Sequence, residues 1–212
     1  MKPVRSAQEF AVAAGVSRET LAKLERYADL LLKWQPRINL VAPDTLPTVW
    51  HRHFLDSAQL LPLIPESARQ IVDLGSGAGF PGLVLALCGE GKFAVDLYEA
   101  DSRKAAFLAS VIRETKAPAQ VIQTRLETTD LSYAHVITAR ALAPLPALLE
   151  MIEPSWRDGM IGIFPKGRRA DEEIGACSGM WKLAYDRIRS VTDSAATIFV
   201  IRSFSRVRPL SE

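Results

Sequence analysis

The hydrophobic positions of this chain follow two different rhythms. In the first third they recur at helical spacing. Leu21, Leu24, Ala28, Leu31 and Leu32 mark one buried face of a helix predicted over residues 18–34. Ser17 is placed to cap it, Glu19 sits near its positive end, and Pro36 ends the pattern. A second helix is expected over residues 46–61, with Arg52 and Asp56 spaced to pair on its surface. Beyond residues 62–67 the rhythm changes. Short apolar runs, predicted as strands, occupy 70–74, 93–98, 120–124, 135–139, 160–164, 185–191 and 197–202. Helical stretches at 83–88, 103–115, 146–152 and 169–177 separate them.

This order predicts an α/β fold, a mostly parallel sheet with helices on both faces. The last two strands are separated only by a turn at Thr192-Asp193-Ser194, so a hairpin adds an antiparallel C-terminal strand. Residues 1–66 form an N-terminal helical extension, and 67–212 the sheet domain.

Chemistry enters at Asp73-Leu74-Gly75-Ser76-Gly77-Ala78-Gly79-Phe80-Pro81-Gly82, between the first strand of the sheet and an apolar helix. Glycines there let a ligand approach the backbone. Gly77 to Gly82 satisfies G-x-G-x-x-G, which alone permits a dinucleotide or an empty glycine-rich turn. Asp73 argues against a pyrophosphate, because like charges repel in a low-dielectric cleft. A sulfonium cofactor without phosphate, S-adenosylmethionine, tolerates that carboxylate. Glu99, ending the next strand, is placed to accept hydrogen bonds from ribose hydroxyls. Asp73, Gly75, Glu99, Leu126, Glu127, Arg140 and Lys166 all fall at or beyond the carboxyl ends of predicted strands, where such sheets bind ligands.

Charge narrows the picture little. The net charge is +2, so nucleic-acid binding requires a local patch. Lys166-Gly167-Arg168-Arg169 is the densest basic cluster, but Asp171, Glu172 and Glu173 follow at once. Cys88 and Cys177 form no spaced motif and read as core residues, so no metal is expected. Charges at Lys2, Arg5, Glu9, Arg18 and Glu19 speak against a signal peptide. With no apolar run near the ~20 residues of a membrane span, a cytoplasmic protein is expected.

Several separated motifs together resemble the RsmG (GidB) family of 16S rRNA guanine-N7 methyltransferases, over roughly residues 37–202. They are Asn39-Leu40, Arg52-His53-Phe54-Leu55-Asp56-Ser57, the glycine loop with its Phe80-Pro81-Gly82 ending, Arg103-Lys104, Arg125-Leu126-Glu127, Thr138-Ala139-Arg140-Ala141 and Lys166-Gly167. The resemblance implies a class I, Rossmann-like methyltransferase domain. It places cofactor contacts at Gly75, Phe80, Leu126, Glu127 and Arg140, while Asp73, Gly77 and Glu99 follow the general methyltransferase pattern. Arg140 and Lys166 are the candidates for the catalytic, target-side role, holding either guanine O6 or a phosphate. Arg37, Asn39, Arg52, His53, Lys166, Arg168 and Arg169 are the candidates for RNA contact. The implied partner is the 16S rRNA of the small ribosomal subunit, met by a monomer without membrane or metal.

The chain departs from the family pattern at Val41-Ala42, where Thr-Ser is common, and at Ala100, where serine is frequent. Asp193-Ser194-Ala195-Ala196 also replaces basic residues before the last strand. Apart from the resemblance, the residues also fit a methyltransferase of small molecules or proteins, or a non-catalytic RNA-binding assembly module.

Overall fold

The computed structural model describes residues 2–126 and 129–207. The chain opens with α1 (Ala7–Ala14), which the hydrophobic rhythm does not predict. The Ser6 side chain accepts from the Glu9 amide at its start, and Gly15, at φ 64°, ends it. Helix α2 spans Arg18–Trp34, with Ser17 accepting from the Thr20 amide as expected. Its buried stripe is Thr20, Leu24, Tyr27, Ala28, Leu30 and Leu31. Leu32 is 52% exposed, against expectation, because it lies about 100° around the helix from Leu31.

The single helix expected over 46–61 is instead four short pieces. They are a 3₁₀ turn at Pro43–Thr48, a π-turn at Trp50–Leu55, the single turn α3 (Asp56–Ala58) and a 3₁₀ turn at Leu61–Leu63. Pro47 and Pro62 lack the amide a continuous helix needs. In the π-turn the Asp56 amide bonds back to the His51 carbonyl, a spacing characteristic of functional sites.

The sheet follows. It runs β1 (Gln70–Leu74), α4 (Gly82–Cys88), β2 (Ala94–Tyr98), α5 (Ser102–Thr115), β3 (Ala119–Ile122), β4 (Val136–Ala139), α6 (Leu145–Ile152), β5 (Ile161–Lys166), α7 (Ala170–Cys177), β6 (Trp181–Arg189) and β7 (Thr197–Arg206). Strand order is β3-β2-β1-β4-β5-β7-β6. The first five strands are parallel, and β7 inserts antiparallel between β5 and β6. β6 begins at Trp181 rather than Tyr185, because it pairs along nearly the whole of β7.

Two apolar clusters cover the two faces. One joins α2, the π-turn, α4 and α5 through Phe10, Tyr27, Phe54, Phe80 and Phe107, so residues on both sides of position 67 share it. The other lies beneath α6 and α7. The order of strands reverses between β1 and β4, and there Leu74 is paired with Ala139. Gly75 and Arg140 therefore leave the sheet side by side, at the switch point where such sheets open a crevice.

Candidate cofactor and target site

A cleft of about 760 Å³ opens above this switch point. It is within the size range of ligand pockets. The glycine loop forms one wall and Arg140 to Pro144 another. Gly75 takes φ +63°, and a β-carbon there would lie 2.6 Å from Leu142 Cδ1, so a side chain would be strained and would displace Leu142. Gly77 takes φ +55° but meets nothing nearer than its own loop, at 3.7 Å. The space above Gly77 faces the cleft.

Asp73 does not line the cleft. It is 1% exposed, and its carboxylate accepts from the Gly82 amide at 3.2 Å and the Thr138 hydroxyl at 2.8 Å. Burial raises its pKa to about 6, against the pull of those hydrogen bonds. The carboxylate thus fastens the loop's far end to its beginning from beneath the cleft rather than lining it. Glu99 lies at the loop's edge. Its oxygens accept from the Gly77 amide at 2.7 Å and the Asp101 amide at 2.8 Å, leaving lone pairs on each.

Phe80 is the centre of an aromatic stack. Tyr27 lies over it at 5.3 Å and His53 at 5.0 Å, while the Arg140 guanidinium sits 5.2 Å from the ring centre. The Tyr27 hydroxyl, fully buried on α2, donates to the Ala78 carbonyl in the loop. The N-terminal helices therefore support the loop from below.

Arg140 is fixed by three groups. It donates to the Arg52 carbonyl at 3.2 Å, to the Asp56 carboxylate at 3.3 Å and to His53 Nδ1 at 2.9 Å. Since arginine only donates, His53 Nδ1 must accept, and the ring proton is on Nε2, facing the Thr45 hydroxyl at 2.8 Å. Burial, then the charges of Arg140 and Arg52, lower the His53 pKa to about 3, so the ring is neutral. Arg52 does not pair with Asp56. It reaches Asp193 at 3.3 Å, while Asp56 is claimed by Arg140, by Gln59 at 2.9 Å and by Thr192 at 2.5 Å.

Lys166 is 8% exposed, with its ammonium 2.6 Å from the Ala143 carbonyl and 2.9 Å from Glu173. Both Lys166 and Glu173 line the cleft. Arg52 and His53 also line the cleft, whereas Arg37, Asn39, Arg168 and Arg169 do not. Arg168 and Arg169 are exposed, and Arg169 pairs with Glu172. Arg37 and Asn39 are exposed, the latter 3.4 Å from Gln35. Leu126 is half-buried against the apolar cluster beneath α6 and does not line the cleft. Glu127 lies outside the described residues.

Tyr27, Thr45, Glu173 and Thr192 are residues of the site and its supports that the sequence alone does not single out, and Lys104 and Asp193 are named there without a role in the site. For Glu173 a signal exists. It stands three residues after Ala170 and four before Cys177, the two buried positions of α7, and so shares their face.

A family profile described as rRNA small subunit methyltransferase G (GidB) matches residues 20–198. The chain belongs to this family. The ribosomal RNA small subunit methyltransferase G of Paramagnetospirillum magneticum is 51% identical over 95% of this chain and 97% of its own length. That of Rhodospirillum centenum is 50% identical over 92% and 90%. An O-methyltransferase from Bacillus cereus, solved in complex with SAH, superposes with a TM-score of 0.58 at 15% identity, covering 86% of this chain and 91% of that one. That likeness identifies the fold, a class I methyltransferase domain. In this member of the family, Phe80-Pro81-Gly82 and Arg140 are therefore neighbours across the switch point, although they are far apart in sequence. No described helix is long and apolar enough to cross a membrane.

Proposed function

We propose that this chain transfers the methyl group of S-adenosylmethionine to N7 of a guanine in the 16S rRNA of the small ribosomal subunit. The observation that carries the reading is the juxtaposition of the glycine loop with Arg140 in one cleft, in a chain of this family. The cofactor fits the residues present. Gly77 leaves room where its backbone faces the cleft, and Glu99 keeps lone pairs for ribose hydroxyls. When bound, the cofactor supplies an electrophilic methyl group on a sulfonium.

Guanine N7 has an in-plane lone pair and no proton, so no general base is required. The N7–C bond forms as the C–S bond breaks, and positive charge passes to the purine. The protein's work is alignment, with reacting atoms held about 3–3.5 Å apart. Arg140, braced by Asp56, His53 and Phe80, provides a rigid donor for guanine O6 or a phosphate. The same reading takes the protein to act as a monomer in the cytoplasm.

Radiolabelled methyl transfer to isolated small subunits, followed by mapping of the labelled base, tests the proposal. Label should appear as N7-methylguanine in the RNA. Label in protein, or cofactor binding without transfer, would favour instead a protein methyltransferase or a non-catalytic assembly module.

A further inference from the structure

We infer that the Lys166–Glu173 pair reads the Watson–Crick edge of the target guanine, with Glu173 as the residue that selects the base. The inference rests on the function proposed above and names the group that gives it specificity.

Glu173 stands in the cleft wall, on α7. Its side chain is 18% exposed. Oxygen Oε2 accepts from the Leu145 amide at 2.7 Å and is ion-paired with the Lys166 ammonium at 2.9 Å. Oε1 has no hydrogen-bond partner among the described residues, and both its lone pairs remain open. The Lys166 ammonium has three protons. One goes to the Ala143 carbonyl, and the ammonium is ion-paired with Glu173, which leaves donor capacity for a base. The wall thus presents one cationic donor beside one anionic acceptor, both held in place by backbone groups at the start of α6.

Guanine offers the complementary pattern. Its O6 accepts, and its N1–H and 2-amino group donate. Adenine offers a donor and a bare nitrogen at the same positions and meets the pair with the wrong polarity at both. Contact through this edge leaves N7 free for the methyl group. A half-buried polar wall of this kind rejects a base that lacks the matching group, because its own atoms are then left unpaired. The pair is more than a structural brace, since bracing uses only Oε2.

The test compares guanosine with inosine at the target position, in small subunits reconstituted with 16S rRNA carrying either base. Inosine keeps O6, N1–H and N7 and lacks the 2-amino group. The wild-type enzyme should favour guanosine by about tenfold in kcat/KM, within the discrimination usual for a paired base contact. Glu173→Gln should lose most of that preference while binding S-adenosylmethionine as the wild type does. Equal use of both bases by the wild type would overturn the inference without any variant. So would a Glu173→Gln protein that is slower on both bases with its preference intact, for then Glu173 only braces α6. If the wild type methylates neither substrate, the proposed function itself fails, and the inference falls with it.

Discussion

Asp56 and Arg140 stand 84 residues apart in sequence and meet at 3.3 Å across the mouth of the cleft. The same carboxylate holds Thr192, in the turn between β6 and β7. One side chain therefore joins the π-turn, the end of β4 and the last hairpin. Asp56→Ala should leave Arg140 and Thr192 without their acceptor and cost about 1–3 kcal/mol. Methyl transfer should fall with it, and Asp56→Asn should lose less of both. Urea unfolding beside the transfer assay measures the two effects, and an alanine variant that is unaltered in both would dismiss the clamp.

Tyr27→Phe keeps the ring that stacks on Phe80 and removes the hydroxyl donated to Ala78. The loss should amount to about 0.5–1.5 kcal/mol in stability. It should also weaken S-adenosylmethionine binding several-fold, because the loop is no longer tied to α2. Calorimetric titration decides the second point. Unchanged affinity would confine Tyr27 to the core.

Two buried groups give opposed responses to pH. The folded protein keeps a proton on Asp73 up to about pH 6, whereas the unfolded chain releases it near 3.8. Stability from this group therefore falls as pH rises between those values. His53 does the reverse. It resists protonation down to about pH 3, while the unfolded chain takes up a proton near 6.5, so stability falls as pH drops below that value. The two slopes partly cancel between about pH 4 and 6 in the wild type. Asp73→Asn should expose the histidine slope and make the protein lose stability more steeply on acidification. Unfolding free energies measured from pH 4 to 7 check this, and parallel curves for the two proteins would contradict it.

Asp193 faces Arg52 at 3.3 Å on the rim. The Ala195 amide, then Arg52 and Arg168, hold its carboxyl below the usual range, so it is charged at neutral pH. Asp193→Asn should release Arg52 toward RNA phosphate and tighten binding to small subunits. Every phosphate that Arg52 newly engages should steepen the plot of log affinity against log salt by roughly 0.7–0.9. Arg168→Ala should flatten the same plot, and Arg169→Ala should change it less, since Arg169 is already engaged by Glu172. Identical slopes for all four proteins would place the RNA-binding face elsewhere.

How far the sequence disclosed this site depended on where each residue's partner lies. The strand over 70–74, the glycine loop and the position of Arg140 rest on local alternation and were legible. Asp73 is legible only in part. Its place at the strand's end is clear, yet its side chain turns toward α4, opposite to Val72 and Leu74, whose shared face lies beneath α6. The stretch from 43 to 63 defeats periodicity altogether. Its 3₁₀ and π turns have no common repeat, and the polar groups of His51, Asp56 and Gln59 find partners at Ser190, Val191 and Thr192. Glu173 reads along the chain as a partner of exposed arginines, because charge next to charge in a sequence says little about which side of a helix each occupies.

The fastening of the π-turn to the last hairpin also sets a timetable for the newborn chain. His51 bonds to the carbonyl of Thr192, 141 residues later. At a synthesis rate of about 5–20 residues per second, that gap corresponds to roughly 7–28 s. During this interval the glycine loop and its helices are made, while Asp56, Gln59 and His51 still lack their partners in the last hairpin. The mouth of the cleft is therefore framed by a hairpin made long after the π-turn it fastens. A chain cut short before the hairpin would have its cofactor loop and Arg140 and still lack the Thr192 hydroxyl that holds Asp56.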